Sequence, residues 1–221
     1  MSCKWDIIGR EGLQFFGKMT ASISHDIKNV LAIINENVGL LQDLCLMVDK
    51  GKALEPERVK TIAGNVIRQI QRADEIIRNM NQFAHSADEP VKSMDLGEIL
   101  DIMKVLGTRF AAGRGVKLES KNLLGPVKIK TNPFFLENLI WLCINFAIDL
   151  TGKDKIIELI SKETESGGEI RIKQIEGLTE EIMDSFPSEK EQALFNLLNA
   201  ELTVNVNSGE LIINLPKDIR V

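Results

Sequence analysis

The stretch FGKMTASISHDIKNVLAII, residues 16–34, decides the fold of the N-terminal part of the chain. On a helix of about 100° per residue, its apolar side chains fall within about 60° of one direction. The stripe contains Phe16, Ile23, Ile27, Val30, Ile34 and, further along, Val38 and Leu41. His25 falls at about 200° from Ile23, with Asn29 at about 240° and Ser22 at about 260°. The pattern predicts an amphipathic helix that turns His25 towards water.

A water-facing imidazole on a rigid helix is a nucleophile and proton carrier near neutral pH. We therefore take His25 as the candidate catalytic residue, with Asp26 next to it and Asn29 one turn later on the same face. The second histidine, His85, is expected to complement a helix C-terminus.

Helical periodicity predicts two long helices, over residues 12–48 and 56–85, separated by Gly51 and Pro56. The second has an apolar stripe formed by Val59, Ile62, Val66, Ile70, Ala73, Ile77, Met80 and Ala84. Two such helices with a short connection form an antiparallel hairpin. Because one hairpin leaves apolar surface uncovered, we expect two copies to pair as a dimeric four-helix bundle. The alternative is that the second domain covers the stripe within one chain.

Composition limits the remaining function classes. The chain has 221 residues, 44% hydrophobic and 27% charged, and a formal net charge of −5. It shows no signal-peptide pattern and no apolar run near the roughly 18 residues that span a bilayer. The acidic balance and the absence of tyrosine argue against nucleic-acid and membrane partners. Three cysteines without a CxxC pair indicate a cytoplasmic setting and no metal site, with Cys45 and Cys143 as buried thiols.

A linker over residues 85–94, containing Pro90, separates residues 1–87 from a mixed α+β domain over residues 88–221. The predicted elements of this domain are, in order, a helix from Met94 ended by Gly113 and Gly115, strands VKLES and VKIK, a buried helix that starts at Pro133, a hairpin KIIELISKE/EIRIKQIE, a helix capped by Ser188, and a closing hairpin LTVNVN/ELIINLP. The fold class is therefore α+β.

The order of elements and the motif SISHDIKNVL resemble the cytoplasmic core of a two-component sensor histidine kinase, from about Phe16 to Pro216. In that family a dimeric phosphotransfer hairpin precedes an ATPase-type α/β sandwich. The resemblance implies that His25 is the phospho-accepting histidine and that Asp26 polarises its imidazole. It also implies that Asn29 orients water for dephosphorylation of a partner. Val30 replaces a helix-kinking proline, so the helix should be straight.

The resemblance fails at the nucleotide site. The family's Mg²⁺- and phosphate-holding asparagines align with Leu142 and Phe146, although a one-residue shift would restore Asn145. The adenine-reading aspartate and its glycines are replaced by Ile175, Glu176 and a single glycine. The segment SFPSEKEQALFNLL has no glycine where the family has a glycine-rich lid. We therefore interpret the sandwich as degenerate, with Trp141 and Phe146 as core side chains and no cofactor of its own.

The chain thus resembles phosphorelay histidine phosphotransferases, a signal-transduction class in which receiver domains of response regulators exchange phosphoryl groups with the histidine. Mg²⁺ would come with the receiver, and Lys28 could offset phosphoryl charge. Two alternatives stay open: a non-catalytic pseudokinase that binds or scaffolds response regulators, and an ATP-dependent kinase with an atypical nucleotide site around Asn138 or Asn145.

Overall fold

A computed structural model describes residues 2–122 and 125–220. The chain divides into two compact units. The hairpin unit contains residues 19–82, and the sandwich unit contains the residues up to Lys18 together with those from Phe83 onward. The two helix ends belong to the sandwich unit because the rings of Phe15 and Phe83 lie 5.6 Å and 6.4 Å from that of Phe134, between centroids. The predicted boundary at residue 87 stays a prediction.

Two long helices open the fold, α1 over Ser2–Asp49 and α2 over Pro56–His85. The bounds of α2 are those predicted. Helix α1 begins earlier than the predicted residue 12, because Ile8, Phe15 and Met19 continue its buried face towards the N-terminus. The helix is unbroken through Val30, as expected without a proline there.

Large apolar side chains remain exposed along α1 and α2. In the hairpin unit they are Leu31, Val38, Leu40, Leu46, Met47, Val48, Leu54, Ile67, Ile70 and Ile77. In the described part of the sandwich unit only Leu13, Phe16 and Val105 belong to this class. The exposed apolar surface therefore concentrates on the hairpin, where the predicted stripes leave Val38, Ile70 and Ile77 uncovered.

The sandwich unit has two sheets and a helical layer. Strands β1 (Lys92–Asp95) and β3 (Lys128–Thr131) form an antiparallel pair. The main sheet has the order β2-β4-β5-β7-β6, with β2 and β4 parallel and the other pairs antiparallel. Its strands are β2 (Val116–Asn122), β4 (Lys155–Thr164), β5 (Gly167–Lys173), β6 (Glu201–Asn205) and β7 (Glu210–Pro216). The helices of this unit are α3 (Leu96–Ala112), α4 (Pro133–Leu150), α5 (Glu180–Met183) and α6 (Glu189–Leu197).

Helix α4 forms the core of this layer and packs against α3 and α6. Pro133 is its first residue, and Asn132 caps it by accepting a hydrogen bond from the backbone of Phe135 at 2.9 Å. Ser188 caps α6 within a capping box that includes Glu191. The predicted α+β class, a helical hairpin followed by an α/β sandwich, is confirmed.

The structure corrects several details. The predicted linker contains the end of α2 and most of β1, and helix α5 was not predicted. Ser22 is buried although its angle placed it on the polar face. Cys45 is exposed and was wrongly expected to be buried, whereas Cys143 is buried and its desolvation raises the pKa of the thiol.

Two helices are long and apolar enough to cross a membrane, judged by length and composition only. They are α4, whose candidate window is 61% buried as the core helix of the sandwich, and α1 from Asp6, whose window is 17% buried. The expectation of no membrane contact stays a prediction.

Candidate phospho-acceptor site

The candidate site is a short polar patch on α1. Half of the His25 side chain surface is exposed, as predicted from the helical angle. Val30 is completely buried on the opposite face. The helix therefore fixes the position of the imidazole while leaving the ring accessible.

Two polar side chains lie near Nδ1 of His25. The Nδ2 atom of Asn29 lies 3.1 Å from this nitrogen, and a carboxylate oxygen of Asp26 lies 3.9 Å from it. Asn29 is one helical turn away, whereas Asp26 approaches from the adjacent position at the edge of ion-pair distance. The structure thus brings together the three predicted residues on one side of the ring.

The crowding at Nδ1 leaves Nε2 as the ring nitrogen without a partner among the described residues. A neutral imidazole has one protonated and one unprotonated nitrogen, and only the unprotonated one is a nucleophile. A proton held on Nδ1 by the Asp26 carboxylate or by the Asn29 amide oxygen would leave Nε2 free to attack. Lys28 is exposed and makes no ion pair within the described part of the chain.

His85 lies at the end of α2 and is hydrogen-bonded to Asp88 at 2.7 Å between Nδ1 and the carboxylate. This pair is exposed and close to a helix C-terminus, which agrees with the structural role expected for His85. Among residues 2–122 and 125–220, no group of three or more His, Cys, Asp or Glu side chains could hold a metal ion.

The sandwich unit has apolar side chains where the resemblance implies nucleotide ligands. Leu142 and Phe146 on α4 are half-buried. Phe146 stacks on Phe186, with ring centroids 4.0 Å apart and planes within 11°. Neither side chain offers an oxygen to Mg²⁺ or a donor to a phosphate. These residues do not fit MgATP bound in the way that the resemblance implies.

The adenine-reading segment is also altered. Ile175 is buried and Glu176 pairs with Lys155 at 2.8 Å. Gly177 packs so closely that a Cβ there would lie 2.6 Å from the carbonyl oxygen of Leu150. This glycine therefore serves the contact between the loop and the end of α4, which is a structural reason for its presence.

Two asparagines of α4, named above for the atypical nucleotide site, carry polar atoms in an apolar helix. Asn138 is 1% exposed, and neither its amide oxygen nor its amide nitrogen has a hydrogen-bond partner. Asn145 donates to Asp149 at 3.2 Å, but its Oδ1 is buried and unpartnered. A buried amide without a hydrogen-bond partner lowers the stability of the folded state. These two asparagines are the residues of α4 that the atypical-site alternative invokes.

A protein-family model matches the N-terminal part of the chain. Residues 17–89 match the His Kinase A (phospho-acceptor) domain. The predicted resemblance to the core of sensor histidine kinases is confirmed. No curated protein matched the chain.

Solved structures of histidine kinases are similar to the chain. The Acinetobacter baumannii histidine kinase AdeS has 12% identity and a TM-score of 0.49, covering 87% of this chain and 98% of its own. The ATP-binding domain of PrrB from Mycobacterium tuberculosis has 20% identity and a TM-score of 0.47, covering 58% and 98%. Histidine kinase ThkA in complex with the response regulator TrrA has 17% identity and a TM-score of 0.46, covering 96% and 64%.

Proposed function

We propose that the protein is a histidine phosphotransferase of two-component signalling, in which His25 exchanges a phosphoryl group with receiver-domain aspartates of response regulators. The observation that carries this proposal is an exposed imidazole with Asn29 and Asp26 on its Nδ1 side, inside a segment that matches a phospho-acceptor family. A cytoplasmic homodimer is part of the proposal, because the exposed apolar side chains of the hairpin unit need a covering surface.

The transfer step follows from the geometry at the ring. The Nε2 lone pair attacks phosphorus in line with the bond to the aspartyl oxygen, a P–N bond forms, and the P–O bond breaks. The aspartate leaves as a carboxylate. The phosphorylated ring is cationic while it keeps its proton on Nδ1. The Asp26 carboxylate, or the amide oxygen of Asn29 once that amide has rotated, would stabilise this form by accepting from the protonated Nδ1. Mg²⁺ held by the receiver would balance phosphoryl charge, and the reverse reaction passes the group to a second receiver.

The residues of the sandwich unit support transfer without ATP. The family's asparagine positions hold Leu142 and Phe146, and the stacked ring of Phe186 adds a further apolar surface there. Charge on a triphosphate requires amide or cationic donors and a bridging metal. The receiver is then the source of phosphoryl groups as well as their destination.

An ATP-dependent histidine kinase is the second candidate. It is favoured by the comparisons and by the unpartnered amides of Asn138 and Asn145 on α4. Under this candidate His25 keeps its role as phospho-acceptor, and only the donor changes. The two candidate functions therefore share His25 as the phospho-acceptor and differ in the phosphoryl donor, which is a receiver domain in one and ATP in the other.

A labelling experiment with the parent protein and two variants separates these functions. Purified protein is incubated with a phosphorylated receiver domain or with radiolabelled ATP and Mg²⁺, and acid-labile phosphate on the chain is measured. We expect label from the receiver and none from ATP, loss of label in His25→Gln, and normal labelling in the control His85→Gln. Label from ATP would support the kinase instead. Receiver binding without label, unchanged in His25→Gln, would indicate a scaffold and would refute both candidates.

A further inference from the structure

A groove lies beside the edge strand β6 of the main sheet, within the sandwich unit. It has a volume of about 750 Å³ and is lined by residues of α5, α6 and β6 and of the segments next to them. Its larger apolar lining residues are Met183, Pro187, Phe195, Leu202 and Val204. Within the described part of the chain, α4 contributes no lining residue. The groove is therefore separate from the positions on α4 to which the resemblance assigns nucleotide ligands.

The outer edge of β6 has no strand partner among residues 2–122 and 125–220. The strand comes last in the order β2-β4-β5-β7-β6 and pairs with β7 alone. No backbone hydrogen bond joins residues 201–205 to any other described segment. The opposite edge strand, β2, carries the exposed Lys117 and Lys121, a common protection against the addition of another strand, whereas β6 has neither lysine nor proline. The β6 edge can therefore accept one more strand.

Acidic side chains accompany this edge. Four exposed carboxylates belong to the elements that line the groove or follow them directly, namely Glu180, Glu181, Asp184 and Glu201. None of the four makes an ion pair in the part of the chain that the structure describes, and the neighbouring Lys190 lies 3.7 Å from Glu191 instead. A second copy of this chain would bring the same carboxylates to the same edge, and like charges disfavour that pairing. A partner with basic side chains is complementary.

We propose that the β6 edge and its groove bind an extended segment of a partner protein in which lysine or arginine alternates with apolar side chains. The segment would add to the sheet through backbone hydrogen bonds to β6. Because side chains of a strand alternate between the two faces of a sheet, its apolar set would enter the groove beside Leu202 and Val204. Its cations would pair with the exposed carboxylates of β6 and α5. The site uses neither His25 nor α4, so its test is independent of the proposed phosphotransfer.

The test uses the full chain and a fluorescein-labelled peptide of sequence KVKIKVK, followed by fluorescence anisotropy at constant ionic strength. We expect saturable binding that Glu201→Lys and Asn196→Lys each weaken at least about tenfold, which is about 1.4 kcal/mol. Both variants place a like charge at an exposed residue that lines the groove, so the fold should be retained. The matched control is Glu163→Lys, an exposed carboxylate on β4, which β5 and β7 separate from β6. Its affinity should stay within about threefold of the parent, because salt screens the distant charge.

Addition as a strand is tested with two N-methylated forms of the peptide, one methylated at the Val and Ile residues and one at the Lys residues. Backbone donors of alternate residues point to opposite edges of a strand, so one form should lose binding while the other keeps it. The proposal is overturned by absence of saturable binding, by equal weakening in Glu163→Lys, by equal binding of EVEIEVE, or by two methylated forms that behave alike. A fall in mass of Glu201→Lys relative to the parent, measured by sedimentation without peptide, would also overturn it, because a second copy would then occupy the edge.

Discussion

Asn29 places its amide nitrogen 3.1 Å from Nδ1 of His25, so the two residues form one polar unit on the exposed face of α1. In this orientation the amide nitrogen donates to Nδ1, and the proton of a neutral ring then lies on Nε2. A donor at Nδ1 favours the tautomer protonated on Nε2, whereas the amide oxygen or the Asp26 carboxylate at the same place favours the nucleophilic tautomer. Rotation of one amide thus changes which nitrogen holds the proton.

The first prediction concerns these neighbours. Asp26→Asn should slow phosphoryl transfer to His25 by about 10- to 100-fold, because the carboxylate stabilises the proton on Nδ1 as the ring becomes cationic. Asn29→Leu should slow it about tenfold, in line with the loss of one hydrogen bond. Single-turnover rates with a phosphorylated receiver measure both effects, and Lys28→Gln is the matched control on the same helix. Rates equal to wild type in both variants would remove these residues from the mechanism.

The second prediction concerns oligomeric state. Val38 and Ile70 belong to the predicted apolar stripes and are 40% and 49% exposed in a single chain. Burial of such side chains contributes roughly 1.5–3 kcal/mol each, so Val38→Glu combined with Ile70→Glu should convert a dimer to a monomer at micromolar concentration. Sedimentation velocity gives the mass, and Gln71→Glu is the control, because it adds one glutamate charge at an exposed polar position of the same helix as Ile70. A wild-type chain that sediments as a monomer at tens of micromolar contradicts the dimer.

The third prediction is a pH dependence of stability. Glu137 on α4 is 1% exposed, and burial raises its pKa to about 8 from 4.5, against a smaller opposite effect of a hydrogen bond from Ser86. The folded state therefore binds a proton more tightly than the unfolded state. Its contribution to stability is complete below about pH 4.5 and is lost as the pH rises towards about 8.

Glu137→Gln removes this titration while keeping the shape of the side chain. The variant should unfold at a higher temperature than wild type at pH 9 and at a similar temperature at pH 5. At about 1.4 kcal/mol per pKa unit, the difference in free energy of unfolding at pH 9 should be a few kcal/mol. Thermal unfolding across this range measures it, with Glu189→Gln as an exposed control on α6. A constant difference at all pH values would show that Glu137 is charged throughout.

The fourth prediction concerns the stacked rings. Phe186 is buried against Phe146, so Phe186→Ala should lower the free energy of unfolding by about 3–5 kcal/mol. Phe186→Leu, which retains most of the buried volume, should cost less. Chemical denaturation provides the values. Equal stability of the alanine variant and wild type would mean that the loop before α6 does not depend on this stack.

Much of the fold was predictable because its signals are local. The bounds of α2, the proline start of α4, the capping box at Ser188 and the closing hairpin all follow from periodicity or from one turn of chain. The exposure of His25 likewise follows from its angle relative to Val30.

The sequence predictions that failed concern residues whose environment depends on contacts with distant parts of the chain. The angle of Ser22 gives no sign of its burial, and Cys45 lies in an apolar stretch yet remains exposed in the single chain. Strand β1 has only four residues and exists because β3 pairs with it. The contact of Lys18 with Trp141 and Phe110 joins three elements, which no spacing in the sequence indicates.

The sandwich unit is assembled from two chain segments, so in topological terms the hairpin unit is an insertion within it. Phe15 reaches Phe83 with ring centroids 5.4 Å apart only after the inserted helices have turned back on themselves. Early formation of that turn would replace the closure of a long, disordered loop by the docking of two adjacent helix ends, at a much smaller entropic cost. We therefore expect the insertion to form first and the sandwich unit to be completed around its two ends.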